Sequence, residues 1–296
     1  RSVSFLDPGV NVEGVRHYTS DQVLVTDRQL TDALTARAIV PGDAGTVDAQ
    51  RDGFTLSAEQ QTAAEAIAGT HELVVIQGAA GAGKTTMLEA AGEALEAQGR
   101  RLVVVSPTKR GALEAGAVLG VDGQSVHALL YRAGAVVDEN GRWVLPERWR
   151  AQPEGARLDE HAVLVVDEAG MLDQDTAAAL HAYVDDMRLG TPVLSGDAAQ
   201  LAAVGRGGYL ARAAQLAGVS LDLTDVRRFR TPEGEVDAAY AELSLKMRDR
   251  DDPETIFDEL AARGLVRGGT LDEPLERIAS SSFAICTSTS KPASSP

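Results

Sequence analysis

Residues 73–86, Leu-Val-Val-Ile-Gln-Gly-Ala-Ala-Gly-Ala-Gly-Lys-Thr-Thr, constrain this chain more than any other stretch. The apolar run from Leu73 to Ile76 suits a buried parallel strand, breaks at Gly78, and gives way to an Ala/Leu/Glu helical pattern at Lys84. Between strand and helix stands G-x-x-x-x-G-K-T, the pattern of a phosphate-binding loop. Gly78, Gly81 and Gly83 let the backbone curl so that successive N–H groups of the stretch Gly78-Ala79-Ala80-Gly81-Ala82-Gly83 point at a polyphosphate, which sits at the positive end of the following helix. Lys84 then reaches the β- and γ-phosphates of ATP, Thr85 offers its hydroxyl to Mg²⁺, and Thr86 closes the cradle. A glycine-rich turn that matches by accident is the bland alternative; a strand before and a helix after argue against it.

The 296 residues allow one large or two modest domains, and a first residue of Arg1 rather than Met reads as a fragment. Hydrophobic residues make up 44% and aromatics only 4%, which describes an Ala- and Val-rich globular α/β protein rather than a disordered or fibrous one. No apolar run approaches a membrane span, no signal peptide heads the chain, and the single Cys286 gives neither an internal disulfide nor a metal cluster; a cytoplasmic setting without membrane insertion is the expectation. Net charge is −16, which argues against a protein that coats nucleic acid without specificity. Arg100, Arg101, Lys109 and Arg110 nevertheless flank one strand, as a local basic patch or as an ordinary solvated face.

Strands and helices alternate after residue 57. The pattern predicts helices over 21–38 (N-cap Ser20 or Thr19), from Ser57, and over 84–97, 109–119, 124–132, 173–187 and 207–217, with strands over 102–106, 162–167 and 192–196. Such alternation calls for a parallel sheet covered on both faces, with ligands at the carboxyl ends of its strands. A hairpin turning at Asn140-Gly141 interrupts it within residues 134–157. After Arg228 acidic helices are expected over 234–247 and 253–262, then a short strand over 283–286 and a Ser-rich tail, 287–296, too polar to fold.

Three further strand ends carry chemistry. Val163-Leu-Val-Val-Asp-Glu168 ends in two carboxylates: Asp167 is placed to hold Mg²⁺ and Glu168 to orient and deprotonate an attacking water. Without the upstream loop the pair is an ordinary strand terminus. In Ser195-Gly-Asp-Ala-Ala-Gln200, Gln200 reads as a γ-phosphate sensor, or the segment as a turn with an N-cap Asp. Arg227 and Arg228 offer a cation where a second lobe would begin, or are surface arginines.

Taken together, Glu59-Gln60, the loop at 78–86, Ser106-Pro-Thr-Lys-Arg110, Ser125-Val-His127, Val166-Asp-Glu-Ala169, Gly196-Asp-Ala-Ala-Gln-Leu201 and Val226-Arg-Arg-Phe229 resemble superfamily 1 DNA helicases of the RecD-like branch. Leu164–Ala177 and Ala203–Gly208 resemble, more narrowly, the helicase region of conjugative relaxases of the TraA/TrwC (MobF) type from actinobacteria. The resemblance implies a RecA-like P-loop NTPase sheet flanked by helices, with an incomplete second RecA-like lobe. It implies that Gln60 reads the adenine edge, Lys84 and Thr85 bind phosphate and Mg²⁺, Asp167 holds the metal, Glu168 is the general base, Gln200 senses the γ-phosphate and Arg228 is the arginine finger. Ser106, Pro107, Thr108, Lys109 and His127 would line a single-stranded DNA path. His127 alone reads as a packed core histidine, and Trp143, carried on the hairpin where relatives have a strand-separating pin, meets a base or, as a lone aromatic, packs.

Late helicase motifs and a relaxase tyrosine with clustered histidines are absent, so the chain is read as the middle of a longer protein. Its expected layout is an N-terminal helical arm (1–53), an ATPase lobe (54–222), the start of a second lobe (223–286) and the tail. The expected function is a 5′→3′ ATP-dependent helicase or translocase segment acting on plasmid single-stranded DNA, alongside a relaxase domain of the same parent chain and the conjugative secretion machinery. The alternative is a non-motor module that binds nucleotide or single-stranded DNA as a scaffold.

Overall fold

Apolar runs with no polar alternation need cover on both faces, and the sheet of this protein has it. The computed structural model describes residues 3–5, 17–51, 54–79, 81–150, 158–159, 161–188, 192–200, 206–224, 229, 237–249 and 252–266. In chain order come β1 (Val3–Phe5), β2 (His17–Thr19), α1 (Asp21–Ala38), β3 (Gln50–Arg51), β4 (Phe54–Thr55), α2 (Ala58–Ala68), β5 (Val74–Gly78), α3 (Lys84–Ala97), β6 (Arg101–Ser106) and α4 (Lys109–Leu119). There follow β7 (Gln124–Ser125), α5 (Val126–Ala133), β8 (Val136–Val137), β9 (Trp143–Val144), β10 (Ala162–Val166), α6 (Gln174–Asp186), β11 (Pro192–Gly196), α7 (Tyr209–Leu216), β12 (Val219–Leu223), α8 (Ala238–Asp249) and α9 (Pro253–Ala262).

Six strands form one parallel sheet in the order β12-β5-β11-β10-β6-β7. Alternate residues feed two cores. Val74, Ile76, Leu102, Val104, Val163 and Val165 pack with Ala63, Ile67, Met87, Leu88 and Leu95 from α2 and α3. Val75, Val105, Leu164, Val166 and Leu194 pack on the other face with Leu30 and Leu34 of α1, Leu129 and Leu130 of α5, Leu180 and Tyr183 of α6 and Leu210 of α7. Trp149 joins that second core edge-on to Tyr183, 5.0 Å between centroids.

Chain contacts divide the protein into two units, Arg1–Ala241 and Glu242–Pro296. In the second, Asp252 caps α9 through Thr255 and Lys246 bridges Glu242 and Glu259.

Two helix starts follow the N-terminal caps read from sequence. Ser20 accepts from Val23 N at the start of α1, and Ser57 with Gln60 makes a reciprocal capping box at the start of α2. The reading of residues 1–53 as one helix in loop-like sequence passes over β1, β2 and β3, which pair as β1–β2 and β3–β4; the structure differs in three further places. β12 is a strand the periodic reading passes over: its Val-Ser-Leu-Asp-Leu alternation is short and directly follows α7. The first two residues of the expected helix over 124–132 instead pair with β6 as β7. The basic cluster is split, because Arg100 and Arg101 lie at the amino end of β6, where Arg101 bonds Asp159 and the His161 carbonyl, while Lys109 and Arg110 lie beyond its carboxyl end. The expected strand at 283–286 and the tail fall outside the described residues.

Because the Ser57 hydroxyl supplies one half of the α2 capping box, accepting from Gln60 N, Ser57→Ala should cost about 0.5–2 kcal/mol. Thermal unfolding should show a midpoint lower by roughly 2–4 °C per kcal/mol for a domain of this size; an unchanged midpoint would mean the cap carries no weight.

Candidate nucleotide and nucleic-acid site

The strand order brings three functional ends side by side. β5 runs into the phosphate loop, β11 lies next to it and ends at Gly196, and β10 lies next to β11 and ends at Val166, so the segments that follow leave the sheet at one edge. The loop turns at Gly81 (φ +87°) and Gly83 (φ +78°), both in the left-handed region that favours glycine. A Cβ at Gly83 would stand 2.0 Å from Gln60 Nε2, and one at Gly78 would stand 3.1 Å from Leu223 Cβ of β12. Lys84 opens α3, and its Nζ donates to the carbonyls of Gly78 (2.6 Å) and Ala79 (3.2 Å), which holds the ammonium over the loop. Thr85 is exposed and Thr86 half-buried on the same first turn. Ala80 lies outside the described residues.

Gln60 is fixed at both ends. Its Oε1 accepts from Ser57 N (3.0 Å) and its Nε2 donates to Gly83 O (3.3 Å). Beside it, Glu59 accepts from Thr224 N (2.7 Å) and Thr224 Oγ1 (2.6 Å) at the end of β12. The start of α2 is thus tied to the loop on one side and to the edge strand on the other.

The acids gather through close backbone packing. Glu168 sits in the left-handed region (φ +56°), a conformation that costs a non-glycine residue on the order of 1 kcal/mol or more. It leads into a 3-10 turn, Ala169–Met171, laid directly on the β11 end: a Cβ at Gly170 would be 2.8 Å from Asp197 O, and one at Gly196 would be 3.1 Å from the N–H groups of Ala169 and Gly170. Buried Ser195 donates to Asp167 Oδ1 (3.1 Å) and fixes that carboxylate. Burial raises the Glu168 carboxyl above its ordinary range; Asp167 pushes it further, Lys84 pulls it back, and Asp197 adds a smaller push. Lys84, Asp167, Glu168 and Asp197 therefore share one electrostatic neighbourhood.

Asp197 is the residue that sequence reading undervalued. It resembles a turn cap, and its Oδ1 does accept from Ala199 N (3.0 Å), yet it is only 4% exposed and its charge acts on Glu168. Gln200 stands exposed in the turn that follows, its N–H on Asp197 O (3.3 Å). Arg228 lies outside the described residues.

The residues expected on a DNA path divide in two. Thr108 and Lys109 are exposed, and Thr108 caps α4 by accepting from Gly111 N (3.0 Å); Pro107 is half-buried. Ser106 is a correction. It is fully buried at the end of β6, beneath Gly111, whose Cβ would come within 2.7 Å of its hydroxyl, so Ser106 cannot present that hydroxyl to a phosphate. His127 overturns its core reading. Val126, Leu129, Leu130 and Ala133 take the buried face of α5, which leaves His127 exposed and against the Trp143 ring. Trp143 does pack, half-buried, as expected of a lone aromatic.

A family described as an AAA domain matches residues 55–271 of this chain. The chain belongs to that family. This AAA domain is also similar to the conjugal transfer protein TraA of Agrobacterium fabrum, 39% identical over 148 residues that make up 49% of the chain and 12% of the relative. A probable conjugal transfer protein TraA of Sinorhizobium fredii is 41% identical over 118 residues, 40% of the chain and 9% of the relative. The chain thus spans about a tenth of the length of the curated relatives it matches. Among solved structures, the Pif1 helicase from Candida albicans aligns with a TM-score of 0.48 at 19% identity, over 70% of this chain and 47% of that one, a likeness too loose to bear on activity.

The raised Glu168 carboxyl makes a pH prediction. A carboxyl whose folded-state value lies above its unfolded one penalises the fold once both states are ionised, and the penalty disappears below the ordinary value near 4.5. Glu168→Gln should therefore raise the unfolding midpoint at pH 8 and leave it nearly unchanged at pH 4. A variant that loses stability at pH 8 relative to pH 4 would contradict the crowding of Glu168 with the other acids.

Proposed function

We propose that this AAA domain is an ATP-hydrolysing motor segment of a conjugal transfer protein, moving 5′→3′ on single-stranded plasmid DNA. The observation that supports this most is the meeting of one lysine with Asp167, Glu168 and Asp197 where the phosphate loop and two neighbouring strands end. Lys84, released from the carbonyls of Gly78 and Ala79, binds the γ-phosphate and neutralises charge that grows as the terminal phosphoryl group leaves. Glu168 orients the attacking water and takes its proton as the oxygen bonds to the γ-phosphorus and the bridge to the β-phosphate breaks. Burial raises its proton affinity, which strengthens it as a base.

The residues fit a Mg²⁺ ion. Three carboxylates against one lysine leave negative charge to be balanced, and Asp167, steadied by Ser195, and the exposed Thr85 hydroxyl are the groups that would hold the ion. Mg²⁺ takes few protein ligands and completes its shell with phosphate oxygen and water. When bound, Mg²⁺ supplies charge neutralisation across the β- and γ-phosphates.

Gln60 braces Gly83 and reads the adenine edge, Gln200 reads the γ-phosphate, and Arg228 serves as the arginine finger. A relaxase domain in the same parent chain and the secretion machinery are the partners this reading carries. Support for the setting comes from relatives named as conjugal transfer proteins.

Lys84→Ala removes the charge-assisted contact to phosphate, so affinity for a fluorescent Mg·ATP analogue should fall by about tenfold or more and ATP turnover should disappear. Undiminished binding or turnover in that variant would sink the assignment of the site. Tight nucleotide binding with no turnover by the parent protein on DNA would instead favour the scaffold.

A further inference from the structure

The outer face of α5 carries more aromatic surface than the fold needs. Its buried face is complete with Val126, Leu129, Leu130 and Ala133, which leaves His127 and Tyr131 one turn apart on the opposite stripe. Trp143 of β9 reaches up between them, 5.3 Å from His127 at 48° and 5.2 Å from Tyr131 at 51°, centroid to centroid and interplanar. The indole is held from behind, its N–H donating to Thr176 Oγ1 on α6 (3.0 Å). Tyr131 remains 47% exposed. Exposed Arg132, bonded to Gln124, and exposed Arg142 add positive charge beside it.

The sheet register gives this face its neighbour. Ser106 of β6 and Ser125 of β7 are paired residues, so Thr108 and His127 each stand two residues beyond the same rung, at the carboxyl end of the sheet. An oligonucleotide whose phosphates pass the amino end of α4 at Thr108 and Lys109 would carry its next bases over α5.

We propose that Tyr131, backed by Trp143, is a stacking platform for a base of single-stranded DNA. This rests on the DNA-motor reading and adds to it a contact for the bases, where the α4 start offers only contacts for phosphates. Trp143 is a positioning residue: with its N–H turned to Thr176 and its ring half-buried, it fixes the angle of the platform rather than meeting the base. Recognition of this kind is tolerant of sequence because every base has a π-face, and long side chains such as Arg132 and Arg142 supply the accompanying charge.

The test titrates the protein into a fluorescein-labelled oligothymidylate of about a dozen nucleotides, and into an abasic strand of equal length, over a series of salt concentrations. Oligothymidylate should bind about tenfold or more tighter than the abasic strand. Tyr131→Ala should weaken oligothymidylate binding by about ten- to a hundredfold, leave the abasic strand and the salt slope unchanged, and keep Mg·nucleotide binding as evidence of an intact fold. Tyr131→Phe, which retains the ring, should stay within about threefold of the unsubstituted protein. Equal affinity for oligothymidylate in Tyr131→Ala would overturn the platform and leave DNA binding standing. No binding of oligothymidylate by the unsubstituted protein would overturn both.

Discussion

One ammonium group set against three carboxylates governs the arrangement of this protein's working end. Like charges at close quarters disfavour their own ionisation, and a fold keeps such a group only where something else compensates. Here Lys84 offsets part of the repulsion, Ser195 fixes Asp167, and the rest appears as the raised proton affinity of Glu168. The sheet makes the encounter possible by placing β11 between β5 and β10. The glycines at 170 and 196 then allow the turn after β10 to lie against the end of β11.

The loop that carries the lysine is itself bracketed. Ser57 and Gln60 cap α2 reciprocally, Gln60 continues to the Gly83 carbonyl, and Glu59 holds Thr224 at the end of β12. A single helix start therefore couples the left-handed glycine before Lys84 to the edge of the sheet. Positive φ falls at Glu168, in the turn after β10, where it strains the backbone, and at Gly83, directly before Lys84.

Much of this was legible in the amino-acid sequence because the elements follow local rules. Helices α1 and α2 begin at the caps Ser20 and Ser57 provide, α3 and α9 begin at Lys84 and Pro253 where the pattern puts them, and the buried strands are unbroken Val/Leu/Ile runs. What escaped was set by partners distant in the chain. β12 is a half-buried edge strand whose short alternation gains meaning only beside β5, and β7 is two residues that exist as a strand only beside β6. Asp197 reads as a turn cap until the Glu168 turn is seen resting on it, and His127 as core until α5 is found to bury a different stripe. Ser106 failed for the opposite reason, since a hydroxyl at a strand end is available only if the following helix leaves it uncovered, and Gly111 does not.

Hydrogen exchange with and without a non-hydrolysable ATP analogue and Mg²⁺ addresses the convergence itself. The account predicts simultaneous slowing of amide exchange in residues 78–86, 167–171 and 196–200, with no change at the amino end of β6 around Arg100 and Arg101. Protection confined to 78–86, with the segments after β10 and β11 unaffected, would contradict it.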